Sequence, residues 1–178
     1  MLGIKPTASL SLVLAVSLVV CCCSAIAEAA PVFDTTIVYA AGEDGYLTYR
    51  LPAIVSSTSG ELFAFADAKK TSVLDNAATD LVLKTSSDNG QTWTNLQVVV
   101  PGGANYDGSA SPLIDSSGNI IVTYLQTQGS TQQLFVTRSS DLGHTWSSPV
   151  DITTQVSDPT WNWHVLGPAH AIQLTSGR

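Results

Sequence analysis

The sequence predicts an all-β chain built from repeated four-stranded units, and three observations carry that reading. From Thr35 onward no helical period is sustained. Short runs rich in β-branched and aromatic residues alternate with clusters of Gly, Ser, Asn and Asp. The runs also recur in one order, and a repeat of about 40 to 60 residues that holds several strands is the pattern of β-propeller blades.

In the first unit strands are expected at Thr36 to Tyr39, Glu61 to Phe65, Asp80 to Lys84 and Leu96 to Val100. The second unit is expected to place them at Asn119 to Leu125, Gln133 to Arg138 and Pro149 to Ile152. Before the Glu61 run stands Pro52 to Gly60, an apolar strand leading into a Ser/Gly turn. The same opening returns at Pro112 to Gly118 and again at Pro168 to Gly177. Later in each of the first two units comes Ser-x-Asp-x-Gly-x-Thr-Trp, at Ser86 to Trp93 and Ser139 to Trp146, offset by 53 residues. Its logic is local: Asp88 or Asp141 accepts backbone N–H bonds, Gly90 or Gly143 takes a positive φ, and Trp93 or Trp146 packs against its neighbour. The chain therefore reads as two full units and the start of a third. Closed propellers have about four to eight blades, so it is expected to be the amino-terminal part of a larger ring.

The first 29 residues have another character. Lys5 precedes an uncharged run from Pro6 to Ala27, and two small-x-small sites follow, Ala25-Ile-Ala27 and Ala27-Glu-Ala29. This is the shape of a secretory signal peptide cleaved after Ala27 or Ala29. It predicts a secreted or cell-surface protein whose mature part runs from residue 30 to 178, with no stable membrane insertion after cleavage. All three cysteines, Cys21, Cys22 and Cys23, lie in the part to be removed, so disulfides are not expected to hold the fold. The formal net charge of -7 argues against nucleic acid or an anionic membrane as partner. It leaves room for a small anionic ligand, because one or two arginines in a pocket outweigh a diffuse acidic exterior at contact range.

Spacing excludes several kinds of chemistry. Counting Asp88 or Asp141 as the first ligand of a calcium loop puts Val99 or Ile152 where the bidentate glutamate belongs, so these turns read as structural. No His-Glu-x-x-His, Gly-x-Ser-x-Gly or phosphate-cradling glycine loop is present. His164 and His170 are poorly spaced for a metal and read as local packing residues.

Four stretches, in order, resemble bacterial-type sialidases. Gly42 to Ala53, with Tyr49-Arg50-Leu51-Pro52 at its end, resembles the aromatic-Arg-aliphatic-Pro opening of that family's first blade. The two Ser-x-Asp-x-Gly-x-Thr-Trp turns resemble its Asp boxes. Phe65 to Lys84 resembles the stretch that carries its acid/base aspartate, and Trp161 to Leu174 its Gly-Pro-rich strand into the third blade. The resemblance implies a six-bladed β-propeller of the sialidase type, with two blades and the start of a third on this chain. It implies an exo-α-sialidase that hydrolyses terminal sialic acids from glycoproteins, glycolipids and oligosaccharides with retention of configuration. The partners implied are sialylated glycans, and no metal or organic cofactor is called for.

Residue by residue, the resemblance makes Arg50 the first of three arginines that clamp the sialic acid carboxylate, a bidentate task suited to a planar guanidinium. Asp75 takes the general acid/base role. Asp80, at the head of the next strand, is its competitor, and a plain turn cap is the structural reading of Asp75. Lys69 and Lys70 stand where the family often has arginine near the sugar hydroxyls. Ser111, before Pro112, stands where many members have aspartate near the N-acetyl pocket, so these three are assigned to substrate binding. Asp88, Gly90, Trp93, Asp141, Gly143 and Trp146 are assigned to structure. The nucleophilic tyrosine, its glutamate and the other clamp arginines are expected in later blades, so the chain alone is expected to be inactive. Tyr39, Tyr46, Tyr49, Tyr106 and Tyr124 read as packing or rim residues. Two rival readings are a sialic-acid-binding lectin or adhesin that has lost catalysis and a generic Asp-box scaffold that binds protein.

Overall fold

The computed structural model describes residues 34–167 and 169–178, so the expected signal peptide lies outside the described residues. Among the described residues eight strands form two antiparallel meanders. The first contains β1 (Thr48–Ser56), β2 (Leu62–Lys69), β3 (Thr79–Ser86) and β4 (Gln97–Val100). The second contains β5 (Tyr106–Ile114), β6 (Ile120–Gln128), β7 (Thr131–Ser139) and β8 (Val150–Asp151). One helical turn, α1 (Thr153–Val156), follows. A single parallel bridge, Thr79 with Tyr106, joins the meanders, and the strand path runs from β1 to β8 without closing on itself. No helix among the described residues is long and apolar enough to cross a membrane.

The order of burial follows from the sequence. The runs Leu62-Phe-Ala-Phe65 and Leu81-Val-Leu83 are apolar on both faces, as central strands require. On one face Phe63, Phe65, Leu81 and Leu83 pack with Ala110, Ile120, Val122 and Tyr124 of the second meander, forming the seam between the two. Each such side chain stabilises the fold by roughly 1.5–3 kcal/mol when fully buried. The other face presents the small residues Ala66 and Ala68 with Val82, covered by Tyr39, Tyr46 and Tyr49. That cover corrects one expectation. Thr36 to Tyr39 is not a strand: its tyrosine lies across the face, with the Tyr39 hydroxyl donating to Ala64 O at 2.7 Å.

The other strand expectations of the first two units hold, with a finer register. Ser56 pairs with Leu62 around Gly60, and Ile114 pairs with Ile120 around Gly118, so Pro112 corresponds to Ile54 and not to Pro52. Both opening strands also carry a bulge that the sequence did not reveal. The register shifts between Arg50 and Ala53 and again between Gly108 and Ser111, with Leu51 at φ 49° and Ser109 at φ 54°. Positive φ at non-glycine residues costs energy and marks a place that the surroundings force. The third opening forms no strand among the described residues. It runs beside β5, with Ala171 N donating to Pro112 O at 2.8 Å and Ser116 N to Gln173 Oε1 at 2.8 Å.

The two Asp turns are near copies. Ser86 Oγ donates to Asp88 at 2.7 Å and accepts from Gly90 N at 2.9 Å, while Thr92 N and Thr92 Oγ1 donate to the same carboxylate at 2.9 and 2.6 Å. Ser139, Asp141, Gly143 and Thr145 repeat the pattern, and Trp93 and Trp146 each donate from Nε1 to the turn glycine's carbonyl at 3.1 Å. Hydrogen bonds from Thr92 and Thr145 hold both carboxyls down to about 2. Trp146 stands edge-on to Phe65 with ring centroids 6.0 Å apart, which plants the second turn in the seam.

Candidate functional site

A cleft of about 330 Å³ opens where the bulge of β1, the end of β2, the loop after β2 and the opening of β5 converge. Arg50, Asp67, Lys69, Asp75, Tyr106 and Ser109 line it on the polar side, and Trp163 reaches it from the segment after α1. Arg50 and Asp75 form an ion pair and hydrogen bond across 25 residues of sequence. Arg50 stands at the bulge of β1 and lines the cleft. Asp75 stands on the loop between β2 and β3, its side chain 90% exposed. The Arg50 guanidinium holds the Asp75 carboxyl below the usual carboxylate range.

Lys69 is buried, with Nζ donating to Leu74 O at 3.0 Å and Asp75 O at 2.9 Å and lying 4.7 Å from the centre of the Tyr106 ring. Desolvation lowers its pKa, against the favourable charge of Asp67. Lys70 turns away from the cleft. Its Nζ meets Asp80 Oδ1 at 2.7 Å and Gly103 O at 3.3 Å. Asp80 itself is buried and accepts from Tyr46 OH at 2.7 Å and Gly102 N at 2.8 Å as well, so its oxygens are occupied away from the cleft. Ser111 also lies off the cleft and donates to Gly167 O at 2.9 Å.

Among the polar residues of the cleft, Asp67 and Ser109 were not picked out from the sequence, and Tyr106 was read only as a packing or rim residue. Asp67 is wholly buried and accepts from Tyr106 OH at 2.6 Å and from Ser109 N at 2.9 Å. Burial pushes its carboxyl up to about 6, against those hydrogen bonds and the charges of Lys69 and Arg50. Tyr106 is buried with it, and burial followed by the charge of Asp67 raises its phenol. Gly108 makes this seat: a Cβ there would stand 2.4 Å from Asp67 Oδ1. Ser109, two residues before the serine expected at the site, is brought to the cleft by the β5 bulge. The only sequence signal was Asp67 itself, an acid inside an otherwise apolar strand.

This arrangement offers a cation able to bind a carboxylate, an exposed carboxyl 25 residues away in sequence but beside it in space, and a buried carboxyl in the same cleft. Comparison with known proteins gives it a context. The chain is 31% identical over 164 residues to an exo-alpha-sialidase of Aspergillus fumigatus, covering 75% of this chain and 40% of that protein. It is 32% identical over 155 residues to sialidase-3 of Bos taurus, with 74% and 36% covered. Among solved structures, a Hadza microbial sialidase matches with a TM-score of 0.71 at 32% identity, over 77% of this chain and 32% of that one. A Trypanosoma rangeli sialidase in complex with sialic acid matches in fold, with a TM-score of 0.58 at 19% identity, over 74% and 25%. No protein-family model matches the chain. The chain spans less than half the length of these curated relatives.

Proposed function

We propose, from the premise that the chain belongs with the sialidases, that the whole protein is a secreted exo-α-sialidase acting on sialylated glycans. In this reading the two meanders are the first two blades of a six-bladed propeller. The observation that carries it is the meeting of Arg50 and Asp75 at one cleft, from a strand bulge and a distant loop.

The ion pair suggests how the site works. Asp75 pairs with the guanidinium that a substrate carboxylate requires. An arriving sialoside takes Arg50 with its carboxylate and displaces Asp75 towards the glycosidic oxygen. Released from the charge that depressed its pKa and covered by the sugar, the carboxyl regains a proton. It passes that proton to the leaving oxygen as the glycosidic bond breaks, and later takes one from the water that hydrolyses the glycosyl-enzyme. Retention of configuration follows from that double displacement, with a tyrosine nucleophile supplied by later blades.

The test is binding by Arg50→Ala in the whole protein. Calorimetry should show a roughly tenfold to hundredfold loss of affinity for sialic acid, the size of a lost charge-assisted hydrogen bond, and little loss for its carboxyl-reduced analogue. Equal losses for the two ligands would remove Arg50 from the carboxylate clamp.

A further inference from the structure

Lys69 is 1% exposed, and a buried ammonium must find partners or lose its charge. The nearby Asp67 carboxylate favours the ammonium by its charge but makes no ion pair with it, its oxygens accepting from Tyr106 OH and Ser109 N. The ammonium instead reaches outward to two successive carbonyls, Leu74 O at 3.0 Å and Asp75 O at 2.9 Å. Both belong to the loop that carries Asp75.

That loop has little else to hold it. Val73 and Leu74 are 62% and 65% exposed, so apolar burial contributes little. Its remaining backbone bonds are internal or at its base, Ala77 N to Leu74 O and Lys70 N to Ala78 O. The other tie at Asp75 is its side chain on Arg50. A substrate carboxylate that takes Arg50 would break that tie at the moment when Asp75 must be well placed.

We infer that Lys69 is a positioning residue that anchors the backbone of the Asp75 loop over the cleft, so that Asp75 swings by its side chain and not with the whole loop. An ammonium suits the task because it offers three donors from one point, and two converge here on adjacent carbonyls. The stacked Tyr106 ring, held by Asp67, fixes the ammonium from the second meander. The catalytic side of this inference rests on reading Asp75 as the acid/base. The anchoring itself does not.

Hydrogen exchange of the full chain separates the two. In the native protein the amides of Leu74 and Ala77, which donate to Ser72 Oγ and Leu74 O, should be protected relative to a free peptide. Lys69→Met, which keeps the volume and removes the donors, should speed their exchange by at least about tenfold while β6 and β7 keep their protection. Lys69→Arg should restore most of it. In the whole protein Lys69→Met should lower kcat on natural sialosides more than on an activated aryl sialoside, with little change in KM. Unchanged loop exchange in Lys69→Met overturns the inference. So does a native loop that exchanges at the free-peptide rate, a measurement that stands even if the methionine variant does not fold. A loosened loop with equal losses on both substrates keeps the anchor and removes the acid role from Asp75.

Discussion

The two meanders share a backbone and differ in what they carry. Each begins with a bulged strand, at Leu51 or Ser109, and each ends its third strand in the same Asp turn. Between β2 and β3, however, the first meander inserts nine residues, whereas β6 and β7 are joined by two. The charged side chains of the cleft, Arg50, Asp67, Lys69 and Asp75, all come from the first meander, and the second adds the neutral Tyr106, Ser109 and Gln132. Shared turns and bulges set the frame, and the charged groups of the cleft sit where the repeats diverge.

The largest effect is expected at that insertion. Asp75→Ala in the whole protein should slow natural sialosides by about 10² to 10⁴-fold more than an activated aryl sialoside, whose leaving group needs no proton. A parallel fall with a lower melting temperature would make the loop a structural feature and the comparison a matter of length alone.

The Asp turns should be less alike than they look. Alanine at Gly90 or Gly143 meets a positive φ that costs about 1–2 kcal/mol. At Gly143 the new Cβ would also stand 2.9 Å from Leu83 Cδ2 in the seam, whereas at Gly90 its nearest neighbour is 3.5 Å away. Gly143→Ala should therefore lose about 1–3 kcal/mol more than Gly90→Ala in denaturant unfolding. Equal losses would mean that the seam yields freely around Leu83.

Acid separates the turns from the cleft. Asp88 and Asp141 titrate at about 2, below their ordinary 3.8, so the stability they bring is present above about pH 4 and is lost as pH falls towards 2. Asp67 titrates at about 6, above its ordinary 3.8, so its ionisation weighs against the fold and stability declines as pH rises from about 4 to 6. Urea melts across pH on Asp67→Asn should lose the second slope and keep the first. A retained second slope would assign it to another group.

The smallest effect distinguishes the turn residues before each glycine. Asn89 and Leu142 both sit at positive φ, 58° and 57°, where asparagine is tolerated better than leucine. Leu142→Asn should stabilise by a few tenths to about 1 kcal/mol and Asn89→Leu should cost as much. A loss in the first variant would show that Leu142 contributes packing worth more than its strain.

What could be read from sequence was what is encoded locally. The Asp turns close within four residues, so Asp88 and Asp141, Gly90 and Gly143 announce their roles by spacing alone. The strands were legible for the same reason, through apolar runs bounded by turns. Thr36 to Tyr39 misled because a β-branched run beside a tyrosine does not say whether it pairs or lies across a face. Asp67, Tyr106 and Ser109 were hidden because their bonds span 39 and 42 residues and depend on a bulge that no residue type signals. Arg50 and Asp75 were singled out through resemblance, and only the fold shows that they touch.

The seam has one more consequence. Besides the backbone bridge at Thr79 and the hydrogen bonds of Tyr106 and Ser109 to Asp67, the meanders meet through side-chain volume, Phe63, Phe65 and Leu83 against Ile120, Val122 and Trp146. Apolar contact has no preferred direction, so it works as a shim: its thickness sets how far apart the two walls of the cleft stand. Adding or removing a methyl there, on side chains that do not themselves line the cleft, would retune its aperture.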